Sequence, residues 1–310
     1  MPTVEELVDR LLAGNRRALS RLLTLIENDT PEGRRALRLL YPKSGRAHTI
    51  GLTGSAGSGK STLSGAIARA TRRRGHTLGI VAIDPTSPFS QGAILGDRIR
   101  MQDLTSDPQV FLRSMATRGG MGGLAPSTAG VVTALDAFGK DAVLVETVGA
   151  GQDEVEVAAM ADTTVVVLTP GAGDDVQAMK AGIMEIADIL VVNKSDLPNA
   201  DLLARQLSSI VDASPSPRRT PIVKTAGALD EGIDALLDEI EQHRAYITSS
   251  SVQEEHRRAR ARHQVLTLAR QRLIDRLVAQ HTDGRLDALV ERVARHELDP
   301  HSAADELTGE

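Results

Sequence analysis

Hydrophobic positions divide the chain into three stretches of different periodicity. Over residues 3–40, apolar side chains recur every three or four positions, which predicts two or three short amphipathic helices. From His48 to about Ile247, short apolar runs alternate with helix-length segments. Helical spacing then returns in Val252–Gln280 and Arg285–His296, and a final Asp-Pro pair predicts the cap and first turn of a last short helix.

The apolar runs of the middle stretch predict buried strands. They are almost continuously apolar rather than alternating, which is typical of strands covered on both faces. The predicted strands are His48–Thr53, Leu78–Ile83, Val110–Met115, Ala142–Glu146, Thr163–Thr169, Ile189–Asn193 and Ile222–Lys224. The helices predicted between them are Lys60–Arg73, Ser127–Phe138, Val176–Ala187 and Leu202–Val211. This alternation predicts an α/β fold with a mostly parallel sheet flanked by helices.

The first predicted strand leads directly into a phosphate-binding motif. Residues Gly54, Ser55, Ala56, Gly57, Ser58, Gly59, Lys60 and Ser61 match GxxxxGK[ST] at every fixed position, and Thr62 follows in the predicted helix. The glycines allow successive backbone N–H groups to point at phosphate oxygens, and the helix contributes its positive end. Lys60 is expected to reach the β- and γ-phosphates, while the Ser61 hydroxyl ligates Mg²⁺. The fold class is therefore a P-loop NTPase.

A second motif indicates that the base is guanine. Asn193, Lys194 and Asp196 form NKxD after a hydrophobic strand. Asn193 is expected to tie this loop to the phosphate-binding loop, and Lys194 to lay its stem along the base. The Asp196 carboxylate can accept hydrogen bonds from both N1–H and the N2 amine of guanine, whereas adenine offers neither donor there. Thr225 and Ala226 follow the last predicted strand, where a second base-contacting loop is expected. An ordinary strand-end turn explains these two residues equally well.

Acidic residues at or after strand ends are candidate partners of Mg²⁺. Asp84 and Glu146 close two strands, and Asp97 lies in a loop. One to three carboxylates near Ser61 are what this ion requires, although helix capping or surface charge are the alternative interpretations. Gly149 ends a turn similar to the one that senses the γ-phosphate.

The residue that orients the attacking water in Ras-like GTPases has no direct counterpart. Ala150 takes the place after the glycine, and Gln152 follows two residues later. Slow intrinsic hydrolysis is therefore expected, unless another element completes the site. Lys180, at the end of a Gly-rich loop, is a candidate to stabilise transition-state charge. A solvated helix lysine is an equally good interpretation of Lys180.

Composition argues against several other classes of protein. The 310 residues contain no cysteine, which excludes disulfides and Cys-ligated metals and fits the cytoplasm. A net charge of −5 and few aromatic residues argue against nucleic-acid binding. The longest apolar runs are too short to span a membrane.

Four segments together resemble one family, the methylmalonyl-CoA mutase-associated GTPases of the MeaB/MMAA/ArgK type. They are DPTSPFSQGAILGDRIRM (84–101), ETVGAGQDE (146–154), PGAGDDVQAMKAGIMEIAD (170–188) and NKSD (193–196). The resemblance runs from about Gly14 to Ala304. Two departures are Asp153, where the family often has Ser, and a P-loop interior that lacks proline.

This resemblance implies a GTPase chaperone that loads and protects an adenosylcobalamin-dependent acyl-CoA mutase. It also implies a homodimer formed through terminal helical extensions. By matching position, Ser61, Asp84, Asp97 and Glu146 become the Mg²⁺ set, and Lys180 becomes a residue that aids hydrolysis. The expected domains are an N-terminal helical extension (1–45), a GTPase domain (46–248) and a C-terminal dimerisation extension (249–310).

Two other functions are compatible with a P-loop protein. A nickel-inserting GTPase would need Cys or clustered His ligands, but the eight His of this chain are scattered. A transport-associated kinase or ATPase would need adenine recognition, which NKSD disfavours.

Overall fold

A computed structural model describes residues 2–84, 102–116, 127–147, 153–171, 183–213, 218–280 and 284–309. Two compact units are present, Met1–Arg257 and Arg258–Glu310. The first unit contains the sheet and the phosphate-binding motif, and the second consists of helices. The predicted three-part division at residues 45 and 248 stays a prediction.

The first unit is built on a sheet in which seven strands are described. The strands are β1 His48–Gly54, β2 Leu78–Asp84, β3 Val110–Ala116, β4 Ala142–Glu146, β5 Thr163–Leu168, β6 Ile189–Val192 and β7 Ile222–Lys224. Their order is β3-β2-β4-β1-β5-β6-β7, and every described pair is parallel. β1 and β5 are buried along their whole length, as expected for strands covered by helices on both faces. The predicted α/β fold is confirmed.

Helices connect the strands and extend both ends of the chain. The N-terminal helices are α1 Val4–Leu12, α2 Arg16–Glu27 and α3 Pro31–Leu40. Those around the sheet are α4 Lys60–Arg73, α5 Gln102–Thr105, α6 Ser127–Ala137, α7 Asp153–Met160, α8 Ile183–Ile186, α9 Ala200–Ala213 and α10 Ile233–Ile247. The C-terminal helices are α11 Ser250–Gln280, α12 Arg285–Ala294 and α13 Pro300–Thr308. As predicted, Asp299 caps the last helix, and its carboxylate accepts hydrogen bonds from the backbone of His301 and Ser302.

The three N-terminal helices share one hydrophobic core with the sheet. Their buried residues, such as Leu19 and Leu22, pack with α6, α7 and residues of β2, β3 and β4. The contact between helices is close at Gly33, where an added Cβ would lie 2.3 Å from the Leu25 carbonyl oxygen. The N-terminal helices therefore extend the hydrophobic core of the first unit.

A buried carboxylate anchors the segment that joins these helices to β1. Asp136 on α6 accepts backbone hydrogen bonds from Gly45, Arg46 and Ala47. Because these three donors converge on one side chain, the entry into β1 has a fixed direction. That strand carries the phosphate-binding motif at its other end.

The C-terminal unit shows contacts of its own between α12 and α13. The Arg292 guanidinium lies 2.9 Å from a Glu306 carboxylate oxygen, and the Arg285 guanidinium donates to the Glu306 backbone carbonyl.

Among the described helices of the whole chain, none has a stretch both long and apolar enough to cross a bilayer.

Candidate nucleotide-binding site

The phosphate-binding motif lies at the carboxyl end of the central strand. β1 is flanked by β4 and β5, with Leu52 paired with Glu146 and Gly54 paired with Val167. Residues 55–59 form the loop, and α4 begins at Lys60. Ligands of open α/β sheets bind at this edge, where strand ends and helix N-termini converge.

Two glycines of the motif, one at the end of β1 and one at the end of the loop, occupy positions that a side chain could not. Gly54 has a φ of +140°, and a Cβ there would lie 2.1 Å from the Val167 carbonyl oxygen. Gly59 has a φ of +90°, and its Cβ would lie 2.6 Å from the Asn193 side-chain nitrogen. The first glycine allows β1 to pass close to β5, and the second allows Asn193, in the loop after β6, to approach the start of α4.

Lys60 lies across the loop that precedes it. Its ammonium donates to the carbonyl oxygens of Gly54, at 2.7 Å, and Ser55, at 2.9 Å. The Lys60 side chain is buried, while Ala56 and Gly57 at the tip of the loop and Thr62 on α4 are exposed. The ammonium is therefore held at the inner side of the loop by carbonyl groups.

Two hydroxyls of α4 hold the carboxylate that ends β4. Ser61 Oγ donates to Glu146 Oε1 at 2.5 Å, and Ser64 Oγ donates to Glu146 Oε2 at 2.7 Å. Glu146 is only 4% exposed, so these donors replace hydrogen bonds that water would make. Sequence reasoning predicted Ser61 and Glu146 but missed Ser64, although its position three residues after Ser61 puts it on the same helix face.

Asn193 connects the loops that follow β6 and β7 to the phosphate-binding loop. Its side-chain nitrogen donates to the Ser58 carbonyl oxygen at 2.8 Å. Its side-chain oxygen accepts from the Thr225 hydroxyl at 3.1 Å and from the Gly227 N–H at 3.2 Å. One amide thus ties together three loops that are far apart in sequence. Gly227 is a second residue that the sequence analysis missed.

The other residues of NKxD are arranged around the same junction. Lys194 has a φ of +55°, and its ammonium donates to the Gly57 carbonyl oxygen at 2.8 Å. The Ser195 N–H donates to the Thr225 carbonyl oxygen, while Asp196 is exposed. The Lys194 stem therefore reaches from one loop to the other, and Asp196 remains accessible for a ligand.

Thr225 and Ala226 begin the second loop of this junction. The Thr225 N–H donates to the Val192 carbonyl oxygen, and Ala226 forms an isolated antiparallel bridge with Glu231. Both residues are buried. In the phosphate-binding loop, the Ser58 hydroxyl is also buried, and it has no hydrogen-bond partner among the described residues.

The remaining predicted site residues are only partly described. Asp84 ends β2, paired with Ala116 of β3, and the structure describes its backbone but not its side chain. The other four predicted residues, Asp97, Gly149, Gln152 and Lys180, lie outside the described residues. Their predicted roles stay predictions.

The described donors suit a magnesium ion bound together with a nucleotide. Among described residues, no group of three His, Cys, Asp or Glu side chains could hold a metal by itself. Mg²⁺ in phosphate-transfer sites needs fewer protein ligands. It keeps several bound waters and is held by substrate phosphates together with one or two protein oxygens. The hydroxyl of Ser61 beside the carboxylate of Glu146 is such a pair.

Comparison with known proteins decides the family. The model of the methylmalonyl Co-A mutase-associated GTPase MeaB family matches residues 19–282. The chain belongs to this family. A protein of Pyrococcus abyssi named as a GTPase is 44% identical over 312 residues, which cover 99% of this chain and 96% of the relative.

Two further proteins are similar to this MeaB-family chain. The mitochondrial methylmalonic aciduria type A homolog of Caenorhabditis briggsae is 39% identical over 210 residues, covering 63% of this chain and 51% of that protein. A crystal structure described as an LAO/AO transport system kinase has a TM-score of 0.74 and 24% identity, covering 99% of this chain and 96% of that one. The latter likeness shows the fold. Membership of the MeaB family confirms the sequence prediction that the chain is a GTPase.

Proposed function

We propose that this GTPase is a chaperone for an adenosylcobalamin-dependent acyl-CoA mutase, with methylmalonyl-CoA mutase as the first candidate. It would gate loading of the cofactor and protect the mutase from inactivation. The observation that carries the proposal is the match of residues 19–282 to a family named for its association with methylmalonyl-CoA mutase.

For the nucleotide, we propose the roles expected from the motifs. The backbone of residues 54–59 binds the phosphates, and Lys60 contacts the β- and γ-phosphates. Asp196 accepts hydrogen bonds from guanine, while Asn193 and Lys194 hold its loop against the phosphate loop, supported by their hydrogen bonds to Ser58 and Gly57.

We propose that Ser61 and Glu146, with Asp84 and Asp97, hold Mg²⁺. When bound, this ion supplies positive charge that neutralises the phosphates. The 2.5 Å hydrogen bond from Ser61 to Glu146 supports this assignment. Gly149, Gln152 and Lys180 complete the proposal as residues that sense the γ-phosphate and assist hydrolysis.

A chaperone driven by GTP must distinguish its nucleotide states when it binds the mutase. We expect the dissociation constant for methylmalonyl-CoA mutase to differ about 5- to 150-fold between the GDP complex and a complex with a non-hydrolysable GTP analogue. By thermodynamic linkage, the mutase should change the ratio of GTP to GDP affinities by the same factor. Calorimetric titrations in both directions measure the two factors independently.

An acyl-CoA enzyme without cobalamin serves as the control and should not bind. Equal mutase affinity in both nucleotide states, together with an unchanged hydrolysis rate in its presence, would contradict the chaperone proposal. The assignment as a GTPase would stand in that case, because it does not depend on the mutase.

The exposed apolar residues of α11 support the proposal of a homodimer. Leu266 is 57% exposed and Leu273 is 63% exposed. They are seven residues apart, so they lie on the same face of this 31-residue helix. Val265, Ile274 and Val278 on the same helix are also exposed. A series of this kind on a long helix is typical of a surface covered by another chain.

We therefore predict that Leu273→Glu weakens the dimer. Burying one leucine contributes about 1.5–3 kcal/mol, and a two-fold axis applies the change twice. The dimer dissociation constant should rise about 10²- to 10⁴-fold, measured by light scattering across a dilution series. Leu202→Glu, which changes an exposed leucine of α9, is the matched control and should leave the constant unchanged. A Leu273→Glu protein with the parent's dissociation constant would refute this interface.

A further inference from the structure

Ser64 is a helix serine whose hydroxyl does not follow the usual pattern. Serine and threonine within helices commonly donate to the backbone carbonyl four residues earlier. Ser20 on α2 and Thr133 on α6 do so, with distances of 2.9 Å to the carbonyl oxygens of Arg16 and Ala129. Ser64 instead donates across to the Glu146 carboxylate at 2.7 Å, and its side chain is fully buried.

The two oxygens of the Glu146 carboxylate therefore accept hydrogen bonds from two different serine hydroxyls. Oε1 of Glu146 accepts from Ser61 and Oε2 accepts from Ser64. A carboxylate turns easily about its last torsion when only one oxygen is held. With both oxygens bonded to one helix, the Glu146 group has a fixed plane relative to α4.

This arrangement matters for how the Ser61 hydroxyl can act as a ligand. When the Ser61 oxygen gives a lone pair to a metal ion, its proton has to point to an acceptor on another side. Glu146 Oε1 is such an acceptor at 2.5 Å. Because Ser64 occupies Oε2, Oε1 stays directed at Ser61. Removing the Ser64 hydroxyl would take this donor away from Oε2, and two hydrogen bonds to α4 would no longer fix the plane of the carboxylate.

We propose that Ser64 is a positioning residue of the magnesium site. It acts through Glu146, keeping one carboxylate oxygen available to Ser61, and does not itself touch the ion or the nucleotide. The inference rests on the proposed magnesium site of Ser61 and Glu146 and adds a residue that neither the motifs nor the family match indicates.

The test compares GDP affinity with saturating Mg²⁺ and in EDTA, for the full-length chain. The ratio of the two affinities reports only on the ion, because any general damage to the pocket weakens both. Ser64→Ala should lower this ratio about 10- to 100-fold, the range found when a residue that holds a metal ligand in place is lost. Alanine favours helices, so the variant should fold, and its GDP affinity in EDTA should stay close to that of the parent.

Control variants separate the possible failures. Thr133→Val removes a helix hydroxyl that bonds only within its own helix according to the described contacts, and should leave the ratio unchanged. Ser61→Ala and Glu146→Gln should each lower it.

If Ser61→Ala and Glu146→Gln lower the ratio but Ser64→Ala does not, the proposed role of Ser64 is wrong and the magnesium site stands. If none of these three variants lowers the ratio, the proposed magnesium site itself is wrong. A Ser64→Ala protein that loses GDP affinity equally with Mg²⁺ and in EDTA would show a merely structural role, which also overturns the inference.

Discussion

Replacing Asp196 by asparagine should change the nucleotide preference from GTP to xanthosine triphosphate. Guanine presents two donors, N1–H and the N2 amine, to the two acceptor oxygens of a carboxylate. Xanthine has a carbonyl oxygen in place of the amine, and an amide offers one acceptor and one donor, which match it. Two charge-assisted hydrogen bonds contribute about 1.5–3 kcal/mol each, so GTP affinity should fall about 10²- to 10⁴-fold. Calorimetric titration with both nucleotides measures the change.

The matched control for this prediction is Asp201→Asn. Asp201 is an exposed carboxylate on α9, five residues further on, and it is paired with Lys224 at 2.8 Å. The same chemical change there should leave both affinities as in the parent. If Asp196→Asn binds GTP as tightly as the parent and gains nothing for xanthosine triphosphate, then Asp196 does not read the base, and the guanine specificity arises elsewhere.

Replacing Lys60 by alanine should weaken nucleotide binding and slow GTP turnover strongly. The Lys60 ammonium is buried at the inner side of the phosphate loop, held by the carbonyl oxygens of Gly54 and Ser55. These contacts orient a full positive charge where the β- and γ-phosphates are expected to bind. Loss of one charge-assisted contact costs about 10- to 100-fold in affinity, and loss of transition-state stabilisation costs about 10²- to 10³-fold in kcat. Fluorescent GDP titration and phosphate release measure the two effects separately.

Two further variants test whether the effect belongs to this particular lysine. Lys43→Ala removes an exposed cation between α3 and β1 and should leave binding and turnover unchanged. Lys60→Arg keeps the charge but not the compact ammonium, so it should recover little activity. A Lys60→Ala protein that binds and hydrolyses GTP like the parent would remove the basis of the proposed phosphate site.

The fold could be predicted closely because its determinants are local. The helix α4 begins and ends at the predicted residues, Lys60 and Arg73. Its start is marked by Gly59, whose left-handed backbone directly precedes the first turn. The apolar runs of β1 and β5 predicted buried strands, and the strands found differ from the predicted ones by one residue at one end. A short run of side chains and the backbone angles they allow is enough to specify such elements.

Contacts between distant segments could not be predicted in this way. Asn193 bonds to Ser58, Thr225 and Gly227. The NKxD motif predicts the tie to the phosphate loop through Asn193, but it does not indicate the partners Thr225 and Gly227. Lys140 is another case: burial lowers its pKa to about 8, and the positive charges of Arg16 and Arg72 add to the effect. Before folding, the sequence separates Lys140 from both arginines by dozens of residues, so no local pattern reports their proximity.

The sequence by itself determined the α/β class, the positions of the phosphate and guanine motifs and the family resemblance, because each depends on residue types at fixed short spacings. Only the tertiary structure decided that Ser61 and Ser64 both donate to the Glu146 carboxylate. The same holds for the Asp136 carboxylate, which accepts hydrogen bonds from the backbone N–H groups of residues 45–47. The tertiary structure also decided that the N-terminal helices join the core of the sheet. The physical reason is that hydrogen bonds and packing act over a few ångströms in space, and the chain brings those atoms together only once the sheet and its helices are assembled.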